Sequence, residues 1–315
     1  MRLSLLLGVL CLMPILAAVQ GPAPGVGSPS AGTGDFAGLV EIGGGRRLWL
    51  ECRGEGGPTV ILEAGYRSPA SVWSGDLAQP DKPREMVLDG VARFTRVCAY
   101  ERPGTAAVID DVVIPSRSDP VPMPRTADSV VTDLHALLRA AEVPGPYVLV
   151  GHSLGGLFVR LYAATYPDEV VGLVLVDAWS EDLRTLLTPE EWASYVRFNS
   201  LVPEEMAGDA SYETIDFNAA SATMEEAADA EPLPALPLAV LAKGQPFGIS
   251  ETNLGFDPDI LEEAWRLAQE RLAGLVPGGN LVIAQASSHY IQLQQPKLVT
   301  GTIKQVVKNV QATGT

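Results

Sequence analysis

The run PYVLVGHSLGGLFVRLYAATYP, residues 146–167, decides how the rest of the chain is read. It opens on an apolar stretch, passes through Gly151-His152-Ser153-Leu154-Gly155, and continues as an amphipathic helical pattern over Leu154–Tyr166. A serine on a sharp strand-to-helix turn presents its hydroxyl outward, which is what G-x-S-x-G achieves in this setting. The two glycines allow the turn, because a strained backbone and a closely packed helix leave no room for a β-carbon. The helix that follows supplies a free N–H at Leu154 and the positive end of its dipole, where an oxyanion would develop. Five residues with three fixed positions recur by chance. The flanking strand and helix are what make Ser153 a candidate nucleophile.

Outward from this turn the chain alternates between β-rich runs and helical patterns. Strands are predicted at 38–42, 46–54, 59–65, 92–100, 146–153, 170–178, 236–244 and 280–287. Several are near-continuous apolar runs, as expected of strands covered on both faces. Helices are predicted over Thr126–Glu142, Leu154–Tyr166, Pro258–Leu275 and Pro296–Val310, the first with Val130, Val131, Leu134, Leu137 and Leu138 at helical spacing. This order implies an α/β domain, a mostly parallel sheet with helices on both faces. The segment from about 180 to 232 interrupts the rhythm. It is far longer than an ordinary connection, contains helical stretches at Pro189–Asn199 and Ala219–Ala230, and reads as an inserted helical lid. No internal repeat of fixed period is visible.

On these residues the chain resembles the α/β-hydrolase superfamily, from about Leu48 to Val307. The matching landmarks are LEAG at 62–65, CAYERPG at 98–104, GHSLGG at 151–156, LVLVDA at 173–178 and SSHYIQLQQP at 287–296. The fit is closest to bacterial members with a GPYVLVGHSLGG elbow. The resemblance implies an eight-stranded sheet with strand two antiparallel, a nucleophile after strand five, and an acid and a histidine later in the chain.

A serine hydroxyl needs a base within hydrogen-bond reach, and the chain has three histidines. His135 falls inside a helix, where a structural role is expected. His152 adjoins the nucleophile, with its side chain expected to point away from it. His289 follows an apolar strand directly, where the resemblance places the catalytic histidine. The acid is less decided. The superfamily commonly places it after strand seven, but there the sequence runs Lys243-Gly244-Gln245-Pro246-Phe247-Gly248, with no carboxylate before Glu251. The other known position, the end of strand six, holds Asp177. A carboxylate ending a buried strand must be hydrogen-bonded or paired, and a histidine N–H would satisfy it. Asp177 is the first choice, Glu251 the rival and Asp182 the third. The oxyanion donors are expected to be the amides of Leu154 and Tyr66, the latter following Gly65 in EAGYRSPASVW. Ala64 departs from the family's usual His-Gly pair, so the Tyr66 ring packing over the entrance is the competing expectation. This chemistry calls for no cofactor and no metal ion.

Residues 1–20, MRLSLLLGVLCLMPILAAVQ, carry Arg2, an apolar stretch and then small residues, the layout of a secretory signal peptide. The apolar stretch, about fifteen residues interrupted by Pro14, is short of the roughly 20 a spanning helix needs. Cys11 follows Leu10 rather than a small residue, which disfavours lipidation. Residues 21–36 read as a disordered leader, rich in Gly, Pro, Ala and Ser, with the hydrolase domain over 37–315. Cys52 and Cys98 remain in the exported protein, whose expected location is secreted or periplasmic, with no stable membrane anchor. In the superfamily's sheet order they fall on adjacent strands, so a disulfide is expected. Closing a loop of roughly 45 residues would stabilise by about 4 kcal/mol on the chain-entropy estimate.

The formal net charge of -16 has no Lys/Arg cluster to interrupt it, which excludes nucleic acid and anionic lipid as electrostatic partners. Residues 180–232 hold 13 acidic and 2 basic side chains. Most of these are expected on a solvated face, and the imbalance disfavours anionic substrates. The expected substrate is a small-molecule ester. Peptidase, amidase or acyltransferase activity would use the same residues, and a silent binding protein on the same fold is the alternative from another class. Epoxide hydrolysis and dehalogenation would ordinarily put a carboxylate where Ser153 stands.

Overall fold

Val60, Ile61 and Leu62, like Val148, Leu149 and Val150, offer no polar face, so strands built from them have to be covered on both sides. They are covered in the computed structural model, which describes residues 34–79, 81–109, 112–230 and 233–313. One sheet holds β1 (Phe36–Glu41), β2 (Arg47–Arg53), β3 (Thr59–Glu63), β4 (Val97–Glu101), β5 (Tyr147–His152), β6 (Val170–Val176), β7 (Leu238–Lys243) and β8 (Asn280–Ala284). Its spatial order is β1-β2-β4-β3-β5-β6-β7-β8. The β1–β2 and β2–β4 pairs are antiparallel and every later pair is parallel. The chain thus has the α/β-hydrolase architecture anticipated from the elbow.

The helices are α1 (Val87–Ala92), α2 (Ala127–Ala140), α3 (Gly155–Thr165), α4 (Leu183–Leu186), α5 (Pro189–Ser200), α6 (Phe217–Ala230), α7 (Glu251–Leu254), α8 (Pro258–Ala273), α9 (Ile291–Gln294) and α10 (Pro296–Thr313). Alternation along each strand divides the core in two. Val60, Leu62, Val150 and Val174 face α1 and α10 through Val91, Ile303 and Val307. Ile61, Leu149 and Leu175 face the opposite way, toward α2, α3 and α8 through Leu134, Phe158 and Trp265. Truncating such a fully buried leucine to alanine costs about 2–5 kcal/mol.

Cys52 and Cys98 stand directly opposite each other on β2 and β4 and are joined by a disulfide. Between β6 and β7 the inserted segment contributes α4, α5 and α6. Two boundaries differ from expectation. The strand read over 92–100 begins only at Val97, because Ala92 ends α1 and the Phe94 amide turns back to the Val91 carbonyl. The signal peptide over 1–20 and most of the leader over 21–36 lie outside the described residues. Phe36, the leader's last residue, already pairs with Cys52 in β1. The short α1, α7 and α9, and a ladder pairing Ala106–Ile109 with Val112–Pro115, carry too little periodicity to be read from the sequence.

Candidate active site

The end of β5 delivers Ser153 in a left-handed conformation, φ 52°, which non-glycine residues rarely adopt. The strain is held by backbone bonds on either side. The Ser153 amide donates to the Val176 carbonyl at 3.1 Å, and its carbonyl accepts from the Gly156 and Trp179 amides, both at 2.8 Å. Two close approaches require glycine. A β-carbon on Gly155 would lie 2.5 Å from the Ala64 carbonyl oxygen, and one on Gly65 would lie 3.0 Å from the Ser153 β-carbon. The loop after β3 is thereby pressed against the turn.

At the end of β6, Asp177 is also left-handed, φ 42°, and fully buried. One carboxylate oxygen accepts from the Lys243 amide at 3.0 Å, and the other from His289 Nδ1 at 2.7 Å. The burial of this charge is therefore compensated by two donors. Donation from Nδ1 leaves the lone pair of the neutral ring on Nε2. Trp265 and Phe247 flank the His289 ring at 5.5 Å and 5.2 Å between centroids.

The other histidines behave differently. His135 stacks on Tyr166 at 4.0 Å and lies 3.2 Å from Glu169, a structural role on α2. His152 is buried, its Nε2–H donates to the His289 carbonyl at 3.0 Å, and the two rings lie 4.7 Å apart. Burial, then the neighbouring His289, holds the His152 imidazole well below the usual histidine range, so it is neutral. Its grip on the loop carrying His289 is something sequence reading did not find. The two rival acids sit elsewhere. Glu251 is exposed in the first turn of α7, and Asp182 pairs with Arg271 at 2.7 Å. Among the described residues, Asp177 is the carboxylate bonded to His289.

Leu154 caps the N-terminus of α3, and among the described residues neither its amide nor that of Tyr66 donates to a carbonyl of the surrounding loops. The Tyr66 ring meets Phe217 of α6 edge-on at 5.4 Å and lies 4.6 Å beneath the Arg67 guanidinium. Burial pushes its hydroxyl up to about 12. A cleft of about 520 Å³ runs beside this loop, lined by Tyr66, Val72, Leu77, Tyr212 and Tyr290 among others. Tyr290 directly follows His289, so the cleft joins the loop after β3 to the loop after β8.

Two acidic residues of the insertion are exceptions to the solvated face expected of most of them. Glu213 is fully buried rather than solvated, and Glu181 pairs with Arg160, which is buried on α3. Arg102 in CAYERPG and Glu63 in LEAG are also buried, and nothing in composition or spacing marked them. Among the described residues, no group of three or more His, Cys, Asp or Glu side chains is placed to hold a metal ion, and no helix is long and apolar enough to cross a membrane.

The alpha/beta hydrolase fold family model matches residues 115–312. The chain belongs to that family. Among curated relatives, it is 31% identical to the uncharacterized protein YqjL of Bacillus subtilis over 140 residues, 44% of this chain and 47% of that one. It is 37% identical to the lipase LipV of Mycobacterium tuberculosis over 97 residues, 30% of this chain and 36% of that one. The chain spans less than half the length of both curated relatives. A putative lipase from Acinetobacter baumannii superposes with a TM-score of 0.55 at 18% identity, covering 89% of this chain and 93% of that one, which shows the shared fold.

Proposed function

We propose that this hydrolase cleaves uncharged carboxylic esters through an acyl-enzyme on Ser153. The observation that carries the reading is the bond from His289 Nδ1 to buried Asp177 at 2.7 Å, with the His289 ring 4.7 Å from that of His152, the residue before a serine on a left-handed turn. Asp177 fixes the His289 tautomer and stabilises its protonated form. Ser153 Oγ attacks the ester carbonyl and its proton passes to His289 Nε2. The carbonyl π pair moves onto oxygen, which the Leu154 and Tyr66 amides receive. When the tetrahedral adduct collapses, the bond to the alcohol breaks and His289 returns the proton to that oxygen. Water, deprotonated by the same nitrogen, then releases the acid. The largely apolar cleft between Tyr66 and Tyr290 and the chain's net charge of -16 support an uncharged substrate over an anionic one.

The disulfide supports export to an oxidising compartment, through the signal peptide read at residues 1–20. The insertion, resting on Tyr66 through Phe217, acts in this reading as the lid of the cleft. The test is labelling with a fluorophosphonate, alongside turnover of p-nitrophenyl esters of graded chain length and of aminoacyl arylamides. Wild type should be labelled and should hydrolyse the esters, and Ser153→Ala should do neither. An unlabelled, inactive wild type would establish a binding protein instead. Faster turnover of the arylamides would move the assignment to a peptidase.

A further inference from the structure

Arg102 is 2% exposed and spends its guanidinium on five acceptors. It pairs with Glu63, holds the Ala64 carbonyl at 2.9 Å and the Gly65 carbonyl at 2.7 Å, and meets the two oxygens of Glu213 at 2.6 Å and 3.0 Å. The second oxygen of Glu63 accepts from the Tyr100 hydroxyl. Glu213 also accepts from the Arg67 amide at 2.5 Å, and its own amide donates to the Gly104 carbonyl at 2.8 Å. Two strands of the sheet, the loop after β3 and the inserted segment therefore meet at one buried charge cluster. That cluster grips backbone groups on both sides of Tyr66.

The direction of the grip matters. The Gly65 carbonyl also accepts from the Ser68 amide at 3.1 Å, so both of its lone pairs are engaged. The Gly65–Tyr66 peptide is trans, and in a trans unit the C=O and N–H point to opposite sides. With the carbonyl drawn toward Arg102, the Tyr66 N–H is turned away from it, on a loop already pressed against Ser153. The Arg67 amide, the next donor along, is consumed by Glu213 and cannot compete for the same role.

We propose that Glu63, Arg102 and Glu213 form a clamp that aims the Tyr66 amide at the oxyanion, which makes Glu213, a residue of the insertion, a positioning residue for the reaction. The inference rests on the reading of Ser153 as nucleophile.

The experiment compares full-length wild type and Glu213→Gln on a p-nitrophenyl ester and on an aryl trifluoromethyl ketone. With the ketone, Ser153 Oγ bonds to the carbonyl carbon, the π pair becomes an oxyanion, and the serine proton goes to His289. Complete loss of one oxyanion donor costs about 10²–10³ in kcat, and a misaimed one should cost about 10–100-fold. The expected result is that fall in kcat with KM within about threefold, and a matching rise in the ketone's inhibition constant. Unchanged kcat and ketone affinity would overturn the clamp. So would a fall in kcat with unchanged ketone affinity, which is what a merely structural pillar gives. Should Glu213→Gln not fold, the wild type alone decides: the Tyr66 amide resonance must shift when the ketone binds, and an unmoved resonance refutes the assignment. A wild type that fluorophosphonate leaves unlabelled overturns the serine reading itself, whereas a labelled wild type with an unaffected variant overturns only the clamp.

Discussion

Ser153, Asp177 and the loop carrying His289 stand at the carboxyl ends of β5, β6 and β8, three parallel strands fixed by apolar packing on both faces. Tyr66, on the other side of the site, stands on a loop whose carbonyls are gripped by Arg102 and whose next amide is held by Glu213, 146 residues further along the chain. One wall takes its geometry from the sheet and the other from buried ions. Apolar packing tolerates substitutions whose cost depends on volume. A buried ion network fails when one charge is removed, because the remaining partners are left uncompensated.

The largest effect expected on the sheet-built wall comes from Asp177→Asn, which should lower kcat about 10⁴-fold, with the fold intact by circular dichroism. Glu251→Gln, exposed on α7, should leave ester turnover unchanged. The reverse pattern in steady-state kinetics would move the acid to Glu251 and break the correspondence between strand ends and proposed catalytic groups.

A smaller effect falls outside both walls. Replacing Cys52 and Cys98 together with serine should cost about 4 kcal/mol of stability in urea unfolding. The kcat of the folded double variant should stay within about twofold, since the bridge ties β2 to β4 on the antiparallel side. Lost turnover in the folded variant would show that this edge also shapes the site.

The smallest effect concerns His152. Its folded-state titration is depressed by burial, so the unfolded chain takes up the proton first as pH falls below about 6.5. The stability that neutral His152 contributes is complete above that pH. It is lost progressively as pH falls from 7.5 through 5.5 toward the depressed folded value. Urea midpoints at the two pH values should show His152→Gln losing less than wild type. An equal loss would mean that His152 does not stay neutral in its pocket.

The contrast between the walls also sets what the sequence could reveal. The strands were legible because several carry near-continuous apolar runs, and the turn of the candidate nucleophile because glycines and serine mark it within a few residues. Asp177 ranks above Glu251 by a known alternative position in the superfamily and by the need of a carboxylate ending a buried strand for a donor, since a pairing 112 residues apart in sequence leaves no local pattern. Glu213 was lost among the 13 acidic residues of its segment, because composition records charge and not burial. Arg102 lies within CAYERPG at 98–104, a stretch that shows neither of its carboxylate partners, Glu63 and Glu213. His152 was expected only to point away from Ser153, and its bond to the His289 carbonyl depends on a loop from the far end of the sheet.

The placement of Glu213 bears on how such a chain can be rebuilt or diversified. Segments inserted between β6 and β7 invite exchange, since both attachment points lie in connections rather than in strands. Here an exchange that left no carboxylate at this spot would leave the Arg102 guanidinium with Glu63 as its one remaining counter-ion and the Arg67 amide without its acceptor. Insertion and sheet therefore have to be inherited as a pair, and a chimera that keeps Arg102 must carry an acid to meet it.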